Sequence, residues 1–218
     1  FMIKEIHEQP AAITKTITPR IKDSLPDFTE DGIPDSFFED VSDITIVACG
    51  TAMYAGMVGK TMIQNRLHIP VTVAIASEFR YEEPVISDKS MVVFVSQSGE
   101  TIDTLEALRL ANKYTKKTLS IVNVKGSSIA RESNYVLYTH AGPEIAVAST
   151  KAYTVQAASF YLLGCKLGLV SGKMTEADAK EFIENLQEVP NLIESVITQA
   201  PEIEQLTKRM TNATNAFY

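Results

Sequence analysis

The sequence predicts an α/β protein in which five parallel strands form a sheet between two layers of helices. Two observations support this prediction. Five short apolar runs rich in Val, Ile and Tyr recur along the chain, and most are separated by stretches in which apolar residues have helical spacing. Strands that alternate with helices form parallel sheets covered on both faces, because each crossover returns the chain to the same end of the sheet.

Each predicted strand is five residues long and rich in branched side chains, which favours a buried strand over a helical segment. In chain order the strands are Ile44–Ala48, Val71–Ile75, Met91–Val95, Thr118–Val122 and Tyr135–Thr139. Two helices are predicted between them from the periodicity of their apolar residues. They are Thr51–Arg66, with Met53, Met57, Met62 and Ile63 on a broad face, and Thr101–Tyr114, with Ile102, Leu105, Leu108 and Leu110.

The last third of the chain reads as helical. Ser149–Leu169 is long and apolar, which predicts a largely buried helix. Lys173–Gln199 and Pro201–Thr211 are amphipathic and acidic, and the next strand is expected only at Asn215–Tyr218.

The first 43 residues precede the predicted sheet. Phe1–Arg20 predicts a helical arm with Pro10 near its middle, and the polar segment Ser24–Asp35, which holds two prolines, predicts a loop. We therefore divide the chain into an N-terminal arm and loop (1–43), a sheet domain (44–170) and C-terminal helices (171–218). Those helices are expected to lead into a further domain.

Composition limits the classes of partner. The 27 acidic and 20 basic residues give a net charge of −7, which argues against non-specific binding to nucleic acid or to an anionic membrane. No apolar run reaches about 18 residues, and no secretory signal opens the chain. Cys49 and Cys165 lie in apolar contexts, so both are expected to be reduced and inert. A cytoplasmic protein is predicted, and because the sequence begins at Phe1 we expect a part of a longer one.

No metal ion and no cofactor is expected. His7, His68 and His140 are scattered without ligand spacing. Gly59-Lys60-Thr61 imitates the end of a phosphate-binding P-loop, but Tyr54 stands where its first glycine is needed and the segment lies inside a predicted helix. No dinucleotide-binding glycine motif follows any predicted strand.

Polar loops follow three of the predicted strands. In an open parallel sheet, ligands bind outside the carboxyl ends of the strands. The loops that follow the first, third and fifth strands are therefore candidate parts of one site. They are Cys49–Ala52, Ser96–Thr101 and Gly142–Lys151.

The loop Ser96–Thr101 allows two interpretations. It is a helix start, with Ser98 or Gly99 as the N-cap, or it is a binding site for a phosphate. The second interpretation accounts for the surplus of hydroxyl groups on Ser96, Ser98 and Thr101, because one cap needs only one. Gly99 would let the backbone approach a ligand closely, and free N–H groups in the first helical turn attract an anion without basic side chains.

Six segments, in order, resemble a known family. They are FMIKEIHEQP, CGTAMYAG, ASEFRY, SQSGETIDTLEALR, NVKGSSIARES and AGPEIAVASTKAYT. The last five are similar to the first sugar isomerase (SIS) domain of glutamine–fructose-6-phosphate aminotransferases, which make glucosamine 6-phosphate and glutamate from fructose 6-phosphate and glutamine. FMIKEIHEQP resembles the segment that follows the glutaminase domain of that family. The resemblance covers essentially the whole chain. It implies a flavodoxin-like sandwich, a homodimer, and fructose 6-phosphate or glucosamine 6-phosphate as the ligand.

The resemblance also implies roles for individual residues. Ser96, Gln97, Ser98 and Thr101 would hold the sugar phosphate, and Thr51, Val147 and Ser149 would line the sugar chain. Ala52 stands where the family usually has serine, so one hydroxyl to the substrate is absent. The glutamate, histidine and lysine that transfer protons in the family lie beyond Tyr218. No catalytic residue is therefore expected here, and the chain is expected to bind sugar phosphate without converting it.

Two other functions fit the same motifs. One is a free-standing sugar isomerase relative, such as a deglycase acting on fructosamine phosphates. The other is a non-enzymatic sensor of phosphosugars, which a DNA-binding segment upstream would favour. The acidic end helices argue against contact with DNA.

Overall fold

A computed structural model describes residues 1–215, and its centre is a five-stranded parallel sheet. In chain order the strands are β1 Asp43–Ala48, β2 Val71–Ile75, β3 Ser90–Ser96, β4 Thr118–Val122 and β5 Tyr135–Tyr138. Their order across the sheet is β2-β1-β3-β4-β5, and every neighbouring pair is parallel. This is the flavodoxin order, in which the chain changes direction across the sheet between β1 and β3. The predicted fold class is confirmed.

The sheet separates two hydrophobic clusters, and the alternation along β3 shows why. Val93 and Val95 face one cluster, whereas Val92 and Phe94 face the other, because successive side chains of a strand point to opposite faces. All seven residues of β3 are buried. A strand with both faces covered therefore appears in the sequence as a continuous apolar run.

Nine α-helices lie within residues 1–215. Their bounds are α1 Met2–His7, α2 Gln9–Ile17, α3 Gly50–Leu67, α4 Ala76–Phe79, α5 Ile102–Ala111, α6 Ser128–Glu132, α7 Lys151–Val170, α8 Glu176–Ile197 and α9 Ala200–Thr207. Helices α3 and α7 cover one face of the sheet, and α5 and α6 cover the other. Every predicted helix is present with shifted ends, and the short helices α4 and α6 were not among the predicted helices.

Helix packing explains why a glycine stands at position 59, in the segment that imitates the end of a P-loop. Gly59 lies inside α3, and a Cβ atom there would lie 2.5 Å from the ring of Phe160 on α7. The two helices therefore approach closely at this point. Other details of the helical predictions were wrong, because Met57 of α3 and Ile102 of α5 are exposed rather than part of an apolar face.

The segments outside the sheet share its core. Ile13 and Ile17 of α2, and Ile183 and Leu186 of α8, belong to the same cluster as β3 and α7. The predicted loop Ser24–Asp35 contributes Leu25–Pro26, which pairs with Ile21–Lys22 in a two-residue hairpin, and a short 3-10 turn. The division at residues 43 and 170 remains a prediction.

Two further expectations concern the far end of the chain and membranes. The strand expected at Asn215–Tyr218 falls on 216–218, which lie outside the described residues. Within the part of the chain that is described, no helix has the length and apolarity needed to cross a membrane.

Candidate functional site

A cavity of about 280 Å³ opens at the carboxyl ends of β1 and β3. This is the point at which the strand order reverses, where open α/β sheets bind their ligands. The three loops predicted to form a site all contribute to its wall. All seven predicted site residues line it: Thr51, Ser96, Gln97, Ser98, Thr101, Val147 and Ser149.

The loop after β3 is held in a tight curl by its own hydroxyl groups. The Ser96 Oγ accepts a hydrogen bond from the Gly99 N–H at 3.0 Å and lies 3.1 Å from the Thr101 Oγ1. The Ser98 Oγ accepts from the Glu100 N–H at 3.2 Å. Gly99 has a φ of +68°, a conformation that side chains disfavour. The surplus hydroxyls noted in the sequence therefore shape the loop.

Helix α5 begins later than the sequence suggested. Its N-cap is Thr101, and neither Ser98 nor Gly99 has that position, so the predicted caps were wrong. The reason is that the serine hydroxyls bond within the loop. The Thr101 side chain makes no capping hydrogen bond to the first turn of α5. The N–H groups in the first turn of α5 therefore have no acceptor from the cap side chain.

The neighbouring loop, after β4, supports this curl. The Gly99 carbonyl accepts a hydrogen bond from the Ile129 N–H at 3.0 Å, and the Glu100 carboxylate accepts from the Ser128 N–H at 2.8 Å. The bonds from Ser128 lower the pKa of Glu100. With Ser98 or Gly99 as the N-cap, Glu100 would lie in the first turn of α5; it instead precedes that helix and binds the start of α6.

Glu144 organises the loop that leads into α7. Its carboxylate accepts hydrogen bonds from the Ser149 hydroxyl at 3.0 Å, the Thr150 N–H at 2.9 Å and the Ala152 N–H at 3.1 Å. Glu144 is therefore a paired side chain that orders this loop. Val147 borders the cavity and is fully exposed, so it lies at the mouth of the cavity.

The N-terminal arm contacts the same loop, and no local sequence pattern predicts this contact. The buried Glu5 carboxylate accepts from the Ile145 N–H at 2.6 Å and from the Ala146 N–H at 3.2 Å. The Lys151 ammonium, which is 3% exposed, donates to the Glu8 carboxylate at 2.6 Å. The bond to Lys151 lowers the pKa of Glu8.

Several residues of the cavity wall were not predicted to bind ligand. Cys49 was expected in the core, but it is half-buried and borders the cavity. Ala52 also borders it, as does Gln156, which is 3% exposed. A single amide in an otherwise apolar helix was the available signal for Gln156.

A metal centre has no candidate ligands in residues 1–215, which contain no group of three or more His, Cys, Asp or Glu side chains able to hold an ion. Larger clefts exist elsewhere, including one of about 560 Å³ beside Arg20 and His140 and one of about 740 Å³ beside Pro26 and Lys166. We place the site in the smaller cavity because the three polar loops converge there.

Comparison with known proteins agrees with this architecture. The SIS domain family matches residues 37–165. Glutamine–fructose-6-phosphate aminotransferases of Leifsonia xyli and Fusobacterium nucleatum are 44% and 45% identical over all of this chain. The chain spans 36% of the length of each of these relatives.

A solved structure shows the same similarity. The C-terminal domain of glucosamine-fructose-6-phosphate aminotransferase from Francisella tularensis superposes with a TM-score of 0.92 at 37% identity. The superposition covers 97% of this chain and 60% of that one. The sheet order, the position of the cavity and the family match lead to one conclusion: the chain belongs to the SIS domain family.

Proposed function

We propose that this chain is the phosphosugar-binding half of the isomerase module of a glutamine–fructose-6-phosphate aminotransferase. The observation that carries the proposal is the convergence of seven predicted residues around one cavity at the reversal point of the sheet. The ligand would be fructose 6-phosphate or glucosamine 6-phosphate. The names of the relatives support this assignment over a deglycase or a sensor.

The phosphate would lie between the curled loop and the first turn of α5. Ser98 and Thr101 offer hydroxyls, and the Gln97 side chain offers an amide. The helix dipole and the free N–H groups of the first turn would supply the attraction. A neutral site of this kind suits a chain with a net charge of −7, because it needs no basic cluster.

The sugar chain would extend toward the opposite wall, where Thr51, Val147 and Ser149 lie. The volume of about 280 Å³ is at the lower end of ligand pockets, which suits a small phosphorylated sugar. The Ser149 hydroxyl already donates to Glu144, so its oxygen remains free to accept from a sugar hydroxyl.

The proposed role of this chain is binding rather than proton transfer. Isomerisation between an aldose and a ketose needs a positioned base and usually an acid. Of the side chains that border the cavity, only Cys49 and Glu144 are titratable, and Glu144 accepts three hydrogen bonds. The residues that transfer protons in the family are expected beyond Tyr218.

The test is a titration of the purified chain with fructose 6-phosphate and with glucosamine 6-phosphate, followed by calorimetry. A parallel assay measures formation of glucose 6-phosphate from fructose 6-phosphate. We expect weak binding of both sugars and no conversion. Absence of binding would contradict the proposed site, and conversion at the rate of a complete enzyme would contradict the placement of catalysis outside this chain.

We further propose a cytoplasmic homodimer that uses the end helices. Helix α9 buries none of its residues. Leu192 and Val196 of α8, and Ile203 and Leu206 of α9, expose apolar side chains. Exposed apolar surface of this kind favours association. Sedimentation should show a species of twice 24.0 kDa, and only monomer at high concentration would contradict this proposal.

A further inference from the structure

Among the buried polar side chains of α7, that of Gln156 alone makes no hydrogen bond within the described residues. Thr154 and Ser159 donate hydrogen bonds to backbone carbonyls of the preceding turn, at 3.0 and 2.8 Å. The Gln156 amide takes part in no hydrogen bond within residues 1–215, although the residue is only 3% exposed. Its amide atoms are not fully enclosed, since the enclosed polar side-chain atoms without a partner within residues 1–215 are those of Thr104, Ser127 and Thr150; the amide therefore opens toward the cavity that it borders.

The position of Gln156 indicates where its partner would come from. The residue borders the cavity, whose lining also includes Glu144 and Ser149 of the loop before α7 and Ser96 and Ser98 of the loop after β3. A ligand in the cavity would bring polar atoms to this amide.

We infer that Gln156 is a specificity residue of the phosphosugar site, and that its amide hydrogen-bonds a hydroxyl or carbonyl oxygen of the sugar chain. This inference rests on the proposed function. An amide both donates and accepts, which matches a hydroxyl group, and Gln156 lies on α7, which follows the loop of Val147 and Ser149 that is proposed to line the sugar chain. Gln156 therefore recognises the carbon chain while the loop after β3 recognises the phosphate.

This division of roles predicts that a substitution of Gln156 changes the affinity for the sugar phosphate but not the affinity for inorganic phosphate. Gln156→Met keeps the length of the side chain and removes its hydrogen bonds. A neutral hydrogen bond corresponds to a change in affinity of about three- to tenfold. Gln156→Met should lower the affinity for fructose 6-phosphate by about this factor and leave the affinity for inorganic phosphate unchanged. Gln156→Leu should behave in the same way.

The experiment compares the unaltered chain, both variants and the control Gln187→Leu, which makes the same change on the exposed face of α8. Each is titrated with fructose 6-phosphate and with inorganic phosphate, and its thermal unfolding is recorded. Loss of affinity for the sugar phosphate alone supports the inference. Equal affinity of the variants and the unaltered chain for fructose 6-phosphate overturns it.

Three other outcomes also decide the matter. A parallel loss of affinity for inorganic phosphate would show that the substitution disturbs the whole cavity, and would overturn the assignment to the carbon chain. Unfolding of both variants would make Gln156 a structural residue and overturn it as well. If the unaltered chain binds no fructose 6-phosphate, the proposed function fails first and the inference fails with it.

Discussion

The carboxylate of Glu5 accepts a 2.6 Å hydrogen bond from the N–H of Ile145, a residue 140 positions further along the chain. The same oxygen lies 3.2 Å from the N–H of Ala146. One buried side chain of α1 thus satisfies two successive backbone donors of the loop that walls the cavity. Both N–H groups are only partly buried, so loss of their acceptor falls at the lower end of the about 1–3 kcal/mol that an unpaired buried donor costs.

Replacing Glu5 should loosen that loop. In Glu5→Gln, one end of the amide presents a donor where an acceptor is needed, so at least one N–H loses its partner. We expect amide hydrogen exchange at Ile145 and Ala146 to accelerate about tenfold or more. The control Glu184→Gln alters an exposed glutamate of α8 and should leave both rates unchanged. Unchanged exchange in Glu5→Gln would show that the contact does not order the loop.

Ser98→Ala should separate binding from folding. A hydrogen bond to a charged phosphate contributes roughly 1.5–3 kcal/mol, so affinity for fructose 6-phosphate should fall about tenfold to a hundredfold. Stability should change less, because the hydroxyl only accepts from the nearby Glu100 N–H. Calorimetry with Ser195→Ala, an exposed site on α8, as control makes the measurement. Unchanged affinity would remove Ser98 from the site.

Gly99→Ala should disrupt the curl by collision. A Cβ atom at Gly99 would lie 2.0 Å from the Ser127 Oγ, whereas one at Gly172, which has nearly the same φ, meets nothing within 4 Å. Gly172→Ala therefore measures the unfavourable backbone conformation alone, about 1–2 kcal/mol. Gly99→Ala should lower the free energy of unfolding further and weaken binding of inorganic phosphate. Equal effects of the two substitutions on stability would show that the loop relaxes around the added methyl group.

Ala52→Ser tests the departure from the usual pattern of the family. Ala52 borders the cavity near the start of α3, where a hydroxyl would face the sugar. Binding of fructose 6-phosphate should tighten by about 1 kcal/mol at most. Ala11→Ser, at an exposed position of α2, provides the control. Equal or weaker binding would indicate that the site already satisfies this sugar oxygen in another way.

Glu100 gives the chain a specific response to acid. Its folded-state pKa is lowered from a model-peptide value of 4.5, first by its hydrogen bonds from Ser128. Its contribution to stability is therefore present above about pH 4.5 and is lost as the pH falls through the folded-state pKa. Unfolding measured between neutral pH and about pH 3 should show Glu100→Gln less stable than the unaltered chain at pH 7.

That difference in stability should shrink as the solution is acidified, because protonation removes the charge that the substitution also removes. Glu194→Gln, at an exposed position of α8, should show no comparable convergence. A difference that stays constant down to about pH 3 would contradict the role of the Glu100 charge.

The sequence was most informative where structure depends on neighbouring residues. Strand ends were predicted to within one residue, because buried branched runs such as Met91–Val95 leave little choice of structure. The convergence of the loops after β1 and β3 followed from parallel topology alone, since carboxyl ends of parallel strands share one edge.

Long-range contacts could not be predicted in this way. The pairing of Glu5 with Ile145, and of Glu8 with Lys151, joins segments about 140 residues apart, and nothing local to either segment indicates the other. The position of the α5 N-cap was missed for a different reason. Several hydroxyls near Ser98 competed for one cap, and only the folded loop shows that Ser96 bonds Gly99 instead.

The contacts of Glu5 and Glu8 with Ile145, Ala146 and Lys151 determine where a shortened version of this protein should begin. Boundaries drawn from the family match, at residues 37 and 165, would retain every strand of the parallel sheet and all seven predicted ligand contacts. Such a truncation would nonetheless leave the N–H groups of Ile145 and Ala146 without their acceptor and the buried Lys151 ammonium without its counter-charge. The smallest piece that keeps an intact binding wall therefore starts before Glu5, well upstream of the first strand.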